Sequence, residues 1–164
     1  ELLRFARENA DYILDTSLSS TAQLKEKIAD LFLSDTSQKL LVSVMSFGFK
    51  YGLPAEADLV FDVRCLPNPF YIAELRDRTG LEKSVRDYVF QQPQTGGLVT
   101  RLLDLIDYLL PLYREEGKTQ LTIAVGCTGG QHRSVALAEH LYRHLEGAGA
   151  RVICTHRDIH RRQQ

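Results

Sequence analysis

Apolar and polar positions alternate in blocks along most of the chain, and these blocks predict strands and helices in turn. Short runs rich in β-branched residues predict four strands, at 40–45, 59–63, 121–125 and 152–154. Apolar residues at helical spacing predict three helices, at 81–90, 98–113 and 135–145. Segments 92–97 and 147–149 are expected to break the helices, and Pro111 is expected to make the last turn of its helix irregular.

The alternation of strands with helices predicts the fold class. It favours an α/β domain with a mostly parallel sheet flanked by helices, in a Rossmann-like three-layer arrangement. Sheets of this kind bind ligands beyond the carboxyl ends of their strands. The loops at 46–50, 62–68 and 127–134 are therefore expected to converge on one site.

Residues 1–37 differ from the regular pattern that follows. They contain one short strand-like segment and one amphipathic segment, for which Ser20 or Thr21 is the expected helix cap and Leu24 begins the apolar face. A single strand and helix have no sheet to join. We therefore expect 1–37 to be the end of a larger amino-terminal domain with its linker, and 38–164 to be a separate domain.

Composition limits the functional classes that fit. The chain has 164 residues, of which 44% are hydrophobic and 25% charged, with a net charge of -1, so nucleic-acid binding requires a local basic patch. Its apolar runs are too short to span a membrane and no secretory signal is visible. Its three cysteines form no C-x-x-C pair. A cytoplasmic protein with reduced thiols, and no membrane partner, is expected.

The strongest chemical signal is a glycine-rich loop between the third strand and the third helix. Backbone N–H groups and the helix dipole at such a junction favour an anion. The arginine fork and the serine hydroxyl at the end of the loop match phosphate oxygens. We predict a phosphate-binding loop made of Cys127, Thr128, Gly129, Gly130, Gln131, His132, Arg133 and Ser134.

Two alternatives compete with simple binding at this loop. Cys127 and Arg133 have the C-x5-R-[S/T] spacing of cysteine-dependent phosphatases, in which a thiolate attacks phosphorus. Asp62 is the candidate acid for that reaction. The second alternative is that the loop is only a structural glycine turn and binds no ligand. His132 either contacts the phosphate, titrating near neutral pH, or merely caps the helix.

Three further polar residues directly follow predicted strands. Lys50, Asp62 and Arg64 are either ligand contacts or partners in ion pairs with one another. Two histidine pairs, His140 with His144 and His156 with His160, have the i, i+4 spacing of half a metal site. No carboxylate or cysteine completes a recognisable set with them, so no metal is expected.

The carboxyl terminus is basic. It contains His156, Arg157, His160, Arg161 and Arg162. Such a segment suits RNA phosphates through a salt-dependent attraction, and it could bind RNA by itself. A solvated terminus without a partner is the simpler interpretation.

Three motifs together resemble the RapZ/YvcJ family, the RNase adapter and nucleotide-binding proteins of bacteria. They are SFGFKYG at 46–52, FDVR and LPNP at 61–69, and GCTGGQHRS at 126–134. The resemblance covers the family's carboxyl-terminal domain, about 38–164. It also identifies 1–37 with the end of the family's P-loop kinase-like domain, whose G-x-x-x-x-G-K-[S/T] loop is absent here, so no nucleotide cofactor is expected.

The resemblance implies a cytoplasmic regulator rather than an enzyme. The implied ligand is a phosphosugar such as glucosamine-6-phosphate, held by 127–134 with Lys50, Asp62, Arg64 and Asn68 nearby. The implied partners are a small regulatory RNA, bound in part by the basic terminus, an endoribonuclease, and further copies of the chain in a tetramer. This chain departs from the family's best-known member at Phe70, where that protein has a histidine.

Overall fold

The computed structural model describes Ser20, Thr21, Leu24 and residues 40–161. Contacts divide the chain into Glu1–Gln38 and Lys39–Gln164, and the fold described below is that of the second unit. In the first unit Thr21 and Leu24 are helical, and the N–H of Leu24 donates to the carbonyl of Ser20 at 2.9 Å. The rest of the prediction for 1–37, and Arg162, lie outside the described residues.

The second unit is built on four parallel strands. Strands β1 (Leu41–Gly48), β2 (Leu59–Asp62), β3 (Gln120–Cys127) and β4 (Arg151–His156) form one sheet in the order β2-β3-β1-β4. All three pairings are parallel, with Gly48 opposite Cys127 and Asp62 opposite Gly126. The carboxyl ends of β1, β2 and β3 therefore meet at one edge of the sheet.

Three helices accompany the sheet: α1 (Lys83–Phe90), α2 (Pro93–Glu115) and α3 (Arg133–Gly147). Short 3-10 helices follow β1 at Phe49–Tyr51 and precede α1 at Pro69–Tyr71. The predicted α/β fold class is confirmed. The parallel sheet is flanked by helices in a three-layer-like arrangement. Among the helices of the described residues, none combines the length and the apolar composition that a membrane span needs.

The core lies between the sheet and the helices. Val44 of β1 and Ile123 of β3 are fully buried, and they belong to one apolar cluster with Ile106 of α2 and with Leu137 and Leu141 of α3. Each such side chain stabilises the fold by about 1.5–3 kcal/mol when it leaves water. This packing fixes the strand ends and the start of α3, which together position the glycine-rich loop.

A break separates α1 from α2, but it is shorter than the predicted 92–97, because α1 ends at Phe90 and α2 already begins at Pro93. Proline fits the first helical turn, where its missing N–H has no partner to lose. The side chain of Thr95 is fully buried, so tertiary packing offsets the cost of the glycines that follow it. The helix also continues past Pro111 to Glu115.

Candidate functional site

A pocket of about 270 Å³ lies at the carboxyl ends of the strands. It combines residues from all three loops that were expected to converge. Its lining consists of Lys50, Asn68, Phe70, Tyr71, Cys127, Thr128, Gly129, Gln131, His132 and Arg133. Four predicted site residues, Asp62, Arg64, Gly130 and Ser134, are not part of that lining.

The glycine-rich loop is shaped by contact with the end of β1. Gly130 has a φ of 74°, a conformation that favours glycine. A Cβ atom on Gly48 would lie 2.7 Å from the backbone carbon of Gly129, closer than packing allows. The N–H of Lys50 donates to the carbonyl of Thr128 at 3.3 Å. The first sequence motif therefore supports the loop of the third motif.

Arg133 lies at the first position of α3 and is 4% exposed. Its Nη1 donates to the carbonyls of Arg64 at 2.9 Å and Leu66 at 2.8 Å, and its Nη2 makes a 3.4 Å contact with Thr128 Oγ1. Its buried Nε has no hydrogen-bond partner among the described residues. One side of the guanidinium is therefore fixed by the loop after β2, whereas on the other side Nε lacks an acceptor and Nη2 has only the long contact with Thr128.

Cys127 is held by its own loop. Its Sγ is 3.1 Å from Ser134 Oγ and accepts the N–H of Gly130 at 3.3 Å. Cys127 is 3% exposed and Ser134 is fully buried. Gly130 and Ser134 thus orient the thiol from below the pocket, although they do not line it.

His132 is a buried, neutral residue of the pocket wall. Its Nε2 donates to the carbonyl of Arg76 at 3.1 Å. Burial lowers the pKa of His132 below its ordinary value of 6.5, and the hydrogen bonds of the ring to backbone carbonyls only partly oppose this. The expected titration near neutral pH is therefore displaced to lower pH. The side chain makes no capping hydrogen bond to α3.

Asp62 and Arg64 form an ion pair with each other. Arg64 Nη2 is 2.7 Å from Asp62 Oδ2, and the guanidinium lies over the ring of Phe49 at 4.1 Å. The hydrogen bond from Arg64 lowers the pKa of Asp62, so this carboxyl group is ionised at neutral pH. An ionised carboxylate has no proton to give to a leaving group.

The wall opposite the loop is partly aromatic. Phe70 and Tyr71 meet edge to face with ring centroids 5.8 Å apart, and Asn68 Oδ1 accepts the N–H of Phe70 at 3.3 Å. Asn68 therefore caps the 3-10 helix that presents both rings. The sequence analysis missed Tyr71, for which adjacency to Phe70 after the Asn-Pro turn was the available signal.

The basic terminus does not begin as a free tail. His156 is the last residue of β4, and its ring contacts Ser46 and Glu139.

The turn that follows β4 folds back onto the pocket. Gln131 Nε2 donates to the carbonyl of Arg161 at 2.8 Å. Arg157 donates to the carbonyl of Gly52 at 2.7 Å, and Arg161 lies over the ring of Tyr51. His160 is exposed.

Asp158 anchors this turn, and the sequence analysis missed it. It is completely buried, accepts the N–H of Gly48 at 2.8 Å, and forms ion pairs with Arg157 and Arg161. An acidic residue within a basic segment was the available signal. The interpretation of a solvated terminus is wrong for Asp158 and Ile159, which are buried against β1 and the glycine-rich loop, whereas His160 and Arg161 are exposed.

The two histidine pairs have different surroundings. His144 Nε2 pairs with Asp107 at 2.9 Å, and the ring of His140 packs on Phe90. His156, in contrast, lies beside Glu139 and Cys154. We expected no metal because no carboxylate or cysteine completes a set of ligands with these histidines. That reason is wrong for His156.

Known proteins resemble this chain over nearly its whole length. The model of the family described as the RapZ C-terminal domain matches residues 40–160. A protein named nucleotide-binding protein from Caldicellulosiruptor saccharolyticus is 51% identical over 160 residues, which is 97% of this chain and 55% of that protein.

A second nucleotide-binding protein, from Alkaliphilus oremlandii, is 50% identical over 159 residues, and one from Bacillus cytotoxicus is 51% identical over 162. These matches cover 96% and 99% of this chain, and 55% of each relative. The chain thus spans about half the length of the curated relatives it matches.

Proposed function

The chain belongs to the RapZ C-terminal domain family, and from this premise we propose that it is a regulatory binding module whose pocket holds a small phosphorylated metabolite. The main support for the proposal is the edge of the Arg133 guanidinium that Nε and Nη2 form, which we call its free edge. Nη1 is occupied by two carbonyls, while the buried Nε has no partner among the described residues. A phosphate accepting from Nε and Nη2 would satisfy this edge with two charge-assisted hydrogen bonds.

The backbone favours the same ligand. Arg133 begins a helix of 15 residues, and the glycine-rich loop precedes it. The positive end of the helix dipole stabilises an anion by about 0.3–1 kcal/mol, and by up to about 2 kcal/mol in a partly buried site. Lys50, which also lines the pocket, adds a second positive charge.

The pocket is small and of mixed polarity. Its volume of about 270 Å³ is near the lower end of small-molecule sites, which begin at roughly 300 Å³. A single phosphorylated sugar such as glucosamine-6-phosphate suits this size. Phe70 and Tyr71 offer apolar faces to a sugar ring, and the amide of Asn68 offers a polar group.

We also propose that RNA binds beside this pocket, through the exposed parts of Arg157, His160 and Arg161. The hydrogen bond from Gln131 to the carbonyl of Arg161 joins the phosphate loop to the basic turn, so occupancy of one site should alter the affinity of the other. Such coupling would let the module act as an RNase adapter that senses a metabolite. The endoribonuclease partner, oligomerisation, and the nucleotide binding in the relatives' names are proposals for the whole-length protein.

A cysteine phosphatase is the second candidate. Contacts with Ser134 Oγ and the N–H of Gly130 hold Cys127 Sγ in the loop before α3, where a nucleophilic cysteine could act. The thiol is almost buried, however, and Asp62 is paired with Arg64. Phosphate release from an aryl phosphate, abolished by Cys127→Ser, would establish turnover; binding of phosphate without release would reject it.

Calorimetry with three ligands tests the proposed binding. Glucosamine-6-phosphate and inorganic phosphate should both bind the chain, the sugar phosphate more tightly, whereas glucosamine should not bind measurably. If glucosamine bound as well as its phosphate, the anion site would not be the source of affinity. If none of the three bound, the proposed ligand class would be wrong.

A further inference from the structure

Three metal-ligating side chains meet away from the phosphate pocket. Glu139 lies on α3, and Cys154 and His156 lie two residues apart on the same face of β4. One ligand atom from each residue lies within 4.8 Å of the other two. The side chains of His156 and Glu139 are 13% and 19% exposed, so the cluster is sheltered but open to ions from solvent.

The histidine is oriented by a residue of the neighbouring strand. Ser46 Oγ and His156 Nδ1 are 2.8 Å apart, and Nε2 points to Glu139 Oε1 at 3.2 Å. A serine hydroxyl both donates and accepts, so it can hold either neutral tautomer of the ring. With the proton on Nδ1, Nε2 presents its lone pair to the space shared with Glu139 and Cys154. Such an outer partner is typical of metal-binding histidines.

The thiol completes a donor set of suitable charge. Cys154 is a free cysteine, so its thiol has one proton to lose. A divalent cation replaces that proton and forms a bond to sulfur. One thiolate and one carboxylate then neutralise the two positive charges, which suits a half-buried position.

We propose that Glu139, Cys154 and His156 bind a zinc-class divalent cation, with a fourth position left to water. Sulfur, nitrogen and oxygen ligands together are typical of zinc and not of magnesium or calcium. Tetrahedral coordination places ligand atoms roughly 3.4–3.6 Å apart, so closure from separations of at most 4.8 Å requires movements of no more than about 1 Å. Binding releases the thiol proton to solvent, shifts the imidazole proton to Nδ1, and involves no change of oxidation state. The site does not depend on the phosphate pocket.

Cobalt spectroscopy on the full chain tests the proposal. Co²⁺ should give a thiolate charge-transfer band in the near ultraviolet and the visible bands of tetrahedral coordination, and Zn²⁺ should displace them at one ion per chain. The chain has three cysteines, so a Cys65→Ser, Cys127→Ser double variant leaves Cys154 as its sole thiol. That variant should keep the band, and Cys154→Ser should lose it.

Two further variants separate this site from nonspecific histidine binding. Ser46→Ala should lower the affinity for Zn²⁺ by about 10- to 100-fold, because it removes the partner that orients His156. His160→Ala, at an exposed position, should leave the affinity unchanged. Zinc affinity that survives Cys154→Ser would overturn the proposal.

Zinc-edge X-ray absorption on the unaltered chain gives an answer even if these variants fail to fold. The proposal requires one sulfur atom per zinc at about 2.3 Å. A coordination shell of nitrogen and oxygen alone would exclude Cys154 and contradict the proposal.

Discussion

The carboxylate of Asp158 accepts the backbone N–H of Gly48 at 2.8 Å. This bond joins the turn after β4 to the end of β1, where Gly48 packs against the glycine-rich loop. Asp158 is completely buried, and its charge is balanced by Arg157 at 2.8 Å and Arg161 at 3.0 Å. The carboxyl terminus therefore supports the rim of the proposed phosphate pocket.

Removal of this carboxylate should destabilise the domain. Asp158→Ala leaves the buried N–H of Gly48 without its acceptor and two arginines without their counterion. We expect the free energy of unfolding to fall by about 3 kcal/mol, measured by urea denaturation. Asp87→Ala breaks an exposed ion pair with Lys83 and is the matched control, with a change below about 1 kcal/mol. Equal effects of the two substitutions would contradict the anchoring role.

A methyl group at Gly48 should displace the phosphate loop. In Gly48→Ala the new Cβ meets the backbone of Gly129 and Gly130 at 2.7–2.9 Å, so the loop must move. The expected cost is about 1–3 kcal/mol of stability, with a loss of phosphate affinity measured by calorimetry. Gly96→Ala, where a Cβ meets nothing within 4 Å inside α2, should instead stabilise by about 0.5–1 kcal/mol. A Gly48→Ala chain with normal stability and binding would show that the close approach is unimportant.

Acidification should weaken the fold through His132. Burial lowers its pKa in the folded chain, so the unfolded chain binds the proton more readily. The corresponding stability is fully present above the ordinary pKa of 6.5 and is lost as the pH falls through the lower folded value. Urea denaturation from pH 7.5 to 5 should show this decline, and His132→Gln should reduce it.

The matched control for this pH effect is His160→Gln, at an exposed position. It should leave the pH dependence of unfolding unchanged. If His132→Gln retained the full decline, groups other than His132 would be responsible. His140 is the first to test, since burial also lowers its pKa.

The RNA proposal predicts that Arg161 contributes through its side chain only. Arg161→Ala should weaken RNA binding in gel-shift titrations and reduce the salt slope by about 1. Gln131 bonds to the backbone carbonyl of Arg161, so affinity for the metabolite should change little. Arg114→Ala, at an exposed position near the end of α2, should leave RNA affinity unchanged. An Arg161→Ala effect no larger than that of Arg114→Ala would argue against this surface.

Periodicity predicted the fold because each strand and helix buries its own apolar positions. Val42 and Val44, or Leu141 and Leu145, can be assigned to a core from spacing alone. The start of α2 could not be predicted in this way, because Gly96 and Gly97 oppose a helix locally. Packing of the buried Thr95 and of the rest of α2 overrides that preference.

The pocket lining was predictable where residues lie in the loops that follow strand ends, as Lys50, Asn68 and Arg133 do. Contacts across the chain were not predictable, because no local pattern encodes them. Asp158 meets Gly48 over a separation of 110 residues, and Glu139 reaches His156 from a different element, α3. The pairing of Asp62 with Arg64 was left open by the sequence, and geometry favours the ion pair.

The free edge of the Arg133 guanidinium is the proposed phosphate contact, and Arg133→Lys removes that edge while it keeps the charge. Lysine keeps the positive charge but loses the planar fork. In titration calorimetry with glucosamine-6-phosphate, we expect affinity to fall by about 10- to 100-fold, as for loss of charge-assisted hydrogen bonds of about 1.5–3 kcal/mol. Arg101→Lys, outside the pocket, should bind like the unaltered chain. Undiminished binding by a folded Arg133→Lys chain would contradict the account.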